Sequence, residues 1–441
     1  MNQKWTALLV ALGLTAAVTA GCGNQAAPSS RQAASGPVTE TMKPFNVHQV
    51  VAGDNEKGRT VMWEMPTDKE NSLEYRKKGT DTIYSVSASG ERLEGNRGIS
   101  NGTVYTAELK GLEKGTDYEY RTREENRVSS WYPLHTDNGG PFKAIVTSDS
   151  QSSDYTDWKN LIHQAAKDNQ DAAFMIALGD LVDNGEDEYQ WQTWFESSGD
   201  LLSRIPVAPA LGNHEAYSLD WKNHMPQRYL THFNLPDNGN KDLKNHYYSF
   251  DWGDVHFTVL DTSLYEEKEW LPDLYEKEKV WLEKDLRETK QKWKVVLMHK
   301  DPLQYGFADE NRPHREEGFS EEGQAFMPFF DKYGVDLVIS AHLHTYRDRG
   351  HIYDFKRSDK GPVYVIDGLS GNVRYPGLWK QHALDQYVAP QPESDNYSIL
   401  EADGSQLTLT GYLPDGTKLH ETVVNSNFAH GKHPVCLDKS A

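Results

Sequence analysis

The 441-residue sequence contains 37% hydrophobic and 11% aromatic residues, which excludes a chain that is disordered throughout and predicts a packed globular body. Its length is roughly two to three times that of an ordinary domain, so a small domain beside a larger one is expected. The net charge of −20 argues against binding of nucleic-acid polymers or anionic lipid surfaces by the protein at large. A small anionic substrate would need a local reversal of this field, which bound cations supply.

Residues 1–21 have the form of an export signal, with Lys4 near the start, an apolar stretch from Ala7 to Ala20, and small residues before Cys22. The stretch is shorter than the about 20 apolar residues of a membrane span. The segment resembles a bacterial lipoprotein signal, in which the cysteine after the cleavage site receives the lipid. We therefore expect an extracytoplasmic protein held at the bacterial cell membrane by lipid on Cys22. The alternative is a general secretory signal with an incidental cysteine, and hence a secreted protein.

Residues 22–43 lack apolar periodicity and are typical of a flexible tether. From residue 44 to residue 140 the pattern changes to short β-type runs separated by Gly, Asn and Asp clusters. The sequence around Tyr118 predicts a tyrosine corner, and Trp63 falls on an earlier strand. This region is therefore predicted to be a small all-β sandwich that resembles a fibronectin-type module.

Residues 141–390 alternate strand-like apolar runs with helical spacing of apolar residues, which predicts an α/β layered domain, a β-sandwich flanked by helices. Residues 391–425 contain three further β-type runs that would close the fold, and residues 426–441 form a tail. With lipid on Cys22, Cys436 would remain alone, so no intramolecular disulfide is expected.

Five apolar runs of the larger domain each end in residues that bind hard or borderline cations. Because ligands gather at the carboxyl ends of strands in α/β sheets, these five ends are expected to meet. The side chains concerned are Asp149, Asp180, Asn213, His299, His342 and His344. Two carboxylates, one amide oxygen and three imidazoles are too many ligands for one tetrahedral ion, and they suit two metal ions that share a carboxylate. Such a pair can hold a bridging hydroxide and clamp both sides of a phosphoryl displacement.

The series Gly179-Asp180, Gly212-Asn213-His214-Glu215, His299 and His342-Leu343-His344 resembles, in order and spacing, the motifs of the calcineurin-like metallophosphoesterases. The flanking β regions resemble the purple acid phosphatase arrangement within that superfamily, over roughly residues 44 to 425. The resemblance implies two divalent or trivalent metal ions (Mn, Fe or Zn) and a small phosphate ester as substrate.

The same resemblance implies a role for each matching residue. Asp149, Asp180 and His344 would hold the first metal. Asp180, as the bridge, would hold the second metal together with Asn213, His299 and His342. His214 would protonate the leaving oxygen or stabilise charge there, and Glu215 would orient His214 as a hydrogen-bond acceptor.

Two departures from the family pattern affect these expectations. Gln151 stands where the superfamily often has a histidine, and its amide oxygen would be a weaker ligand for the first metal. Asp183 stands where purple enzymes carry the tyrosine that gives their colour, so no colour from that source is expected.

The function expected from the sequence is a dinuclear metal-dependent, acid phosphatase-like phosphomonoesterase. Two alternatives are a phosphodiesterase acting on nucleotides or lipid head groups, and a surface-binding lipoprotein whose metal site is vestigial. Arg347 and Arg349 follow the histidine pair and are expected either to reach a substrate phosphate or to lie in a solvated loop.

Overall fold

The computed structural model describes residues 36–425 and the backbone of residues 32–33. The predicted signal, Cys22, the tail and most of the tether lie outside the described residues. Within the described part of the chain, no helix has the length and apolar character needed to span a bilayer.

Two large mixed sheets face each other across the main core. The first sheet has ten strands, in the spatial order Lys418–Asn425, Gln406–Tyr412, Tyr397–Ala402, Phe142–Thr147, Phe174–Ala177, Pro206–Pro209, Phe45–Val50, Gly58–Met65, Gly102–Lys110 and Ser89–Leu93. The second has eight, Tyr248–Trp252, Val255–Leu260, Trp293–Met298, Leu337–Ser340, Val363–Ile366, Arg347–Tyr353 and Lys356–Arg357, with Tyr387–Val388 paired to Arg347–Tyr353. Phe142 and Phe174 of the first sheet pack on Phe257 of the second, so the core lies between the sheets.

Helices cover the outer faces and connect parallel strands. The α-helices are Thr156–Asp168, Glu188–Ser197, Leu201–Arg204, Gln227–His232, Leu264–Glu267, Leu274–Glu288 and Glu321–Tyr333, and two 3₁₀ turns span His214–Ala216 and Lys241–Leu243. Trp281 and Phe326, on the two long helices of the second half, belong to a separate apolar cluster with Val296 and Val338 of the second sheet. The strands that helices connect run parallel, because a crossover helix returns the chain to the same end of the sheet.

The N-terminal β-sandwich is confirmed. One of its sheets has seven strands, Gln32–Ala33, Tyr84–Ser87, Asn71–Lys77, Asp117–Glu124, Arg127–Val128 and Glu40–Thr41, with Tyr132–His135 paired to Asp117–Glu124. In the larger domain, a separate two-stranded ribbon joins Leu303–Gln304 to Gly318–Phe319. Trp63 and Tyr120 are buried between the sandwich layers. The tyrosine corner is present, since the backbone N–H of Glu113 donates to the Tyr118 hydroxyl at 3.0 Å.

The sandwich and the larger domain share one sheet. Val50 of the sandwich pairs in parallel with Val207 of the larger domain, and the N–H of Val51 donates to the Val207 carbonyl at 3.1 Å. The side chain of Gln49 adds hydrogen bonds to the Ser203 and Pro133 carbonyls. A continuous sheet therefore crosses the boundary that the sequence places at residue 140.

Candidate metal centre

The candidate site lies where five strands end. Strands Phe142–Thr147, Phe174–Ala177 and Pro206–Pro209 belong to the first sheet, and Trp293–Met298 and Leu337–Ser340 belong to the second. The sequence predicted that these ends meet, and they do. The meeting place, however, is the junction of two facing sheets and not the edge of a single open sheet, so the site draws ligating side chains from both.

One group of potential ligands combines two aspartates with a histidine. Ligand atoms of Asp149, Asp180 and His344 lie within 4.8 Å of one another, and all three side chains are buried. His344 Nε2 is 3.4 Å from Asp149 Oδ1, an oxygen that lacks a hydrogen-bond partner among the described residues. The other Asp149 oxygen accepts the backbone N–H of His342 at 3.1 Å.

A second group shares Asp180 with the first. Ligand atoms of Asp180, His299 and His342 also lie within 4.8 Å of one another. His299 Nε2 is 3.1 Å from Asp180 Oδ2 and 3.1 Å from Asn213 Oδ1. The structure thus brings Asp149, Asp180, Asn213, His299, His342 and His344 together, with Asp180 common to both groups.

The tautomers of two histidines show why this donor set fits a metal. Nδ1–H of His299 donates to the Leu178 carbonyl at 2.7 Å, and Nδ1–H of His344 donates to the Val373 carbonyl at 2.5 Å. Each ring, in its neutral form, therefore turns the lone pair of Nε2 toward an aspartate oxygen. Acceptors that face acceptors at this distance repel one another unless a cation lies between them, so the donor set fits two metal ions.

Burial sets the protonation of the histidines in the absence of a cation. It lowers the pKa of His344 to about 4 and that of His342 well below its ordinary value, so both are neutral imidazoles ready to ligate. Burial also lowers the pKa of His299, but the facing carboxylates of Asp180 and Asp149 outweigh it and raise that pKa to about 9. Without a metal ion, His299 therefore carries a proton on Nε2, the atom that would bind the metal.

Four of the clustered residues adopt the left-handed backbone region, with φ of 46° at Asp149, 50° at Asp180, 71° at His342 and 50° at His344. Non-glycine residues avoid this region, and such strain persists only where the surrounding structure enforces it. The sharp turns after the strands aim these side chains back over the sheet ends.

Gly212 allows two of these turns to touch. A Cβ at that position would lie 2.2 Å from the Asp180 backbone nitrogen and 2.3 Å from its Oδ1. Because nothing larger than a hydrogen fits there, the close approach of the two turns requires glycine.

His214 lies beside the centre and has a defined orientation. Its backbone N–H donates to Asp180 Oδ1 at 2.8 Å, and its Nδ1 bonds the Asp183 carbonyl at 2.7 Å. The side chain is 15% exposed, so a ligand can reach it. With Nδ1 engaged, Nε2 is the ring atom available for proton transfer.

Comparisons with known proteins agree with this geometry. Residues 142–346 match the model of the calcineurin-like phosphoesterase family, and residues 44–136 match that of the purple acid phosphatase N-terminal domain. The chain is thus similar, in both of its domains, to the purple acid phosphatases. Purple acid phosphatases use a dinuclear metal centre, in keeping with the two groups of ligands that share Asp180.

Similar proteins include two from Arabidopsis thaliana. Purple acid phosphatase 15 is 25% identical over 357 residues, which is 73% of this chain and 63% of the relative. Purple acid phosphatase 18 is 26% identical over 402 residues, 89% of this chain and 85% of the relative. The match to the first relative thus spans less than two thirds of its length.

Among solved structures, the purple acid phosphatase PPD1 of yellow lupin (Lupinus luteus) superposes with a TM-score of 0.71 at 19% identity, over 87% of this chain and 74% of the other. The structure titled PhoD superposes with a TM-score of 0.60 at 14% identity, over 88% of this chain and 93% of the other. At these identities the likeness concerns the fold, and it confirms the predicted α/β layered class with an N-terminal β domain.

Glu215 has partners that the sequence did not predict. Its carboxylate accepts the backbone N–H groups of Asp180 at 2.9 Å, Leu181 at 2.8 Å and Gly212 at 2.8 Å. The hydrogen bond to the His214 ring comes instead from the Asp183 carbonyl. The expectation that Glu215 orients His214 was therefore wrong, because the short turn after Asn213 directs the two side chains to different neighbours.

Gln151 is fully buried close to Asp149 in sequence, and both polar atoms of its amide lack a hydrogen-bond partner among the described residues. A buried amide without hydrogen-bond partners costs free energy, so the amide of Gln151 is available to bind a metal ion. Whether it ligates the first metal stays a prediction.

Three aromatic side chains near the centre were not predicted as site residues. Tyr217 and Trp221 contact the His214 ring at centroid distances of 5.2 and 6.2 Å, and Tyr375 contacts the His344 ring at 4.9 Å. Trp221 is 57% exposed and Tyr375 is 44% exposed. These residues lie in loops, where apolar spacing carries no signal about which side chains meet.

Both expectations for the two arginines were wrong. Arg347 pairs with Asp385 at 2.7 Å and Arg349 pairs with Asp301 at 2.7 Å, and all four side chains are almost completely buried. Strand Arg347–Tyr353 lies inside the second sheet, so its arginines stabilise the interior and face neither solvent nor substrate.

Proposed function

We propose that this chain hydrolyses phosphate monoesters at the centre formed by the two ligand groups. The observation that carries the proposal is the sharing of Asp180 between the two buried groups, in which histidine Nε2 atoms lie 3.1 and 3.4 Å from carboxylate oxygens. Few arrangements other than a pair of cations neutralise such a set.

In this proposal Asp149, Asp180 and His344 hold one metal, with Gln151 as a weak further ligand. Asp180, Asn213, His299 and His342 hold the other. When bound, the two cations supply Lewis acidity that offsets the charge developing on the phosphoryl oxygens. The carbonyls of residues 178 and 373 keep two of the histidine rings in the ligating tautomer.

His214 acts on the leaving group. The Asp183 carbonyl accepts a hydrogen bond from Nδ1–H of His214, which leaves Nε2 to face the substrate. A protonated His214 then donates Nε2–H to the ester oxygen as its bond to phosphorus breaks. The Asp183 carboxylate lies on the same side of the ring, 3.5 Å from Nδ1. The alcohol then departs neutral.

The test compares variants on an aryl phosphate after loading with Mn, Fe or Zn. Asp180→Asn is expected to lose metal and activity together, whereas His214→Ala keeps its metal and loses about 10²- to 10⁴-fold in kcat, the usual worth of general acid catalysis. His214→Ala should lose less on substrates whose leaving groups need no proton. Two variants serve as matched controls. Asp137→Asn changes a buried aspartate of the small domain that accepts backbone N–H groups, and His351→Ala removes a ring that donates to a backbone carbonyl.

Substrate class is tested with mono- and bis-aryl phosphates of the same phenol. A monoester preference is expected, and faster turnover of the diester would assign the chain to phosphodiesterases instead. Incomplete metal loading, with turnover of neither ester, would favour the alternative of a binding protein whose metal site is vestigial.

We also propose that the mature chain is extracytoplasmic and carries a lipid on Cys22. The support is the sequence of residues 1–22, with its basic start, short apolar stretch and small residues before the cysteine. In cells fed a radiolabelled fatty acid, the wild-type chain should incorporate label and sediment with membranes. Cys22→Ser should do neither, and label retained by Cys22→Ser would contradict the proposal.

A further inference from the structure

A second cluster of buried acidic residues lies beyond the end of strand Val255–Leu260, the neighbour of the strand that leads into His299. Ligand atoms of His246, Asp261 and Glu267 lie within 4.8 Å of one another. His246 Nδ1 is 2.8 Å from Asp261 Oδ2 and 3.5 Å from Glu267 Oε2. A third carboxylate, that of Glu278, accepts the backbone N–H of Asp261 at 2.8 Å.

The charges of this cluster are not balanced by protein groups. Asp261, Glu267 and Glu278 are each 0% exposed and His246 is 5% exposed. Among the described residues, no lysine or arginine forms an ion pair with any of the three carboxylates. Were all three carboxylates ionised, even a protonated His246 would leave two of the three negative charges unbalanced, which is costly in a low-dielectric interior.

Several buried oxygens of this cluster lack a hydrogen-bond partner among the described residues. Both carboxylate oxygens of Glu267 and Oε2 of Glu278 lack a hydrogen-bond partner among the described residues, and so does the hydroxyl of buried Ser263. The proposed catalytic ligand Asp149 has the same signature, with a buried carboxylate oxygen left free beside a histidine. Buried oxygens without hydrogen-bond partners are expected where a bound cation would interact with them.

We propose that His246, Asp261 and Glu267, with Glu278 as a fourth ligand or as an acceptor for bound water, form a third metal site that holds one divalent cation. Several carboxylates with one imidazole suit Mn²⁺ or Zn²⁺, because Mn²⁺ and Zn²⁺ bind both carboxylate oxygen and imidazole nitrogen, whereas Mg²⁺ and Ca²⁺ favour oxygen ligands alone. A divalent charge neutralises most of the cluster.

The place of the site in the fold assigns it a structural role. Its ligands come from the turn before strand Tyr248–Trp252, the end of strand Val255–Leu260, and helices Leu264–Glu267 and Leu274–Glu288. Glu266, next to one ligand, pairs with Lys300 at 2.6 Å, and the Lys300 N–H donates to Thr262 at 2.9 Å. Since Lys300 follows His299, the cation braces the wall of the catalytic centre without touching substrate.

Anomalous scattering from wild-type crystals grown with Mn²⁺ tests the site directly. A peak is expected between His246, Asp261 and Glu267, separate from any peaks at the Asp180 centre. Peaks at the Asp180 centre alone would overturn this inference and leave the proposed function intact. A peak at the third site alone would support it while counting against the proposed dinuclear centre.

Glu267→Gln tests the same claim in solution, because it keeps the shape of the side chain and removes its charge. The variant is expected to bind about one Mn²⁺ fewer per chain than the wild type, and to lose part of the rise in melting temperature that Mn²⁺ gives. Glu188→Gln is the matched control, a buried glutamate paired with Arg228, whose loss leaves the metal count unchanged. An unchanged Mn²⁺ count in Glu267→Gln, with stability equal to or above the wild type, would mean that protons and not a metal neutralise the cluster. If the variant does not fold, the crystallographic peak decides.

Discussion

Replacing Glu215 by glutamine separates two interpretations of that residue. Each carboxylate oxygen accepts two backbone N–H groups: Oε2 those of Asp180 and Gly212, and Oε1 those of Leu181 and Val182. A glutamine keeps one oxygen and turns an NH₂ group toward two buried donors. Leaving a buried donor unsatisfied costs about 1–3 kcal/mol, so the variant should lose about 2–6 kcal/mol of unfolding free energy.

The same change should weaken the metal centre, because the turn carrying the bridging aspartate is fixed by these hydrogen bonds. Removal of a residue that positions a metal ligand typically costs about 10- to 100-fold in metal affinity. Urea denaturation gives the first quantity, and titration of the apoprotein with Mn²⁺ gives the second. Glu188→Gln again serves as the control for loss of a buried carboxylate.

A different result would support the role predicted from sequence. If Glu215→Gln kept wild-type stability and metal affinity but shifted the pH dependence of kcat, Glu215 would be acting on His214 after all. The hydrogen bonds of the carboxylate would then contribute little to the stability of the two turns.

Three other variants probe other parts of the structure. Gly212→Ala should reduce activity by at least about 10²-fold and lower the metal content, because its Cβ would lie 2.2 Å from the Asp180 nitrogen; metal analysis and kcat on an aryl phosphate measure both effects. Arg349→Met should cost about 3–5 kcal/mol in urea denaturation, and the double variant with Asp301→Leu should recover much of it, since the second change removes the stranded charge. Burial lowers the pKa of His256, but two aspartates outweigh it and raise that pKa to about 9 from 6.5. The stability that wild type gains over His256→Gln should therefore be full below pH 6.5 and disappear as the pH rises through about 9, as denaturation across that range would show.

The sequence predicted those parts of the structure that short segments encode. Each apolar run was mostly buried and was followed within three residues by a ligating residue, so the residue pattern by itself was enough to place Asp149, Asp180 and His299 near strand ends. Tyr118 was recognisable because a tyrosine corner depends on a few neighbouring residues.

Contacts made across loops could not be predicted in this way. Glu215 reaches backbone groups 34 and 35 residues away only because two turns touch at Gly212. The ligands proposed for the third site lie on a turn, a strand end and two helices, where each acidic residue has the pattern of a solvated surface charge. The contacts of Trp221 and Tyr375 with the site histidines likewise could not be predicted, since no periodicity in the sequence links loop residues to a distant cluster.

The sheet shared by the two domains limits how this protein can be divided. Strand Pro206–Pro209, which leads into Asn213 and His214, has Phe45–Val50 as its neighbour on one side. A fragment starting at residue 141 would expose that flank as an open sheet edge, a template for pairing with other chains and for aggregation. The β-sandwich thus covers this edge and helps to hold the His214 loop in place, so the larger domain expressed without it should aggregate.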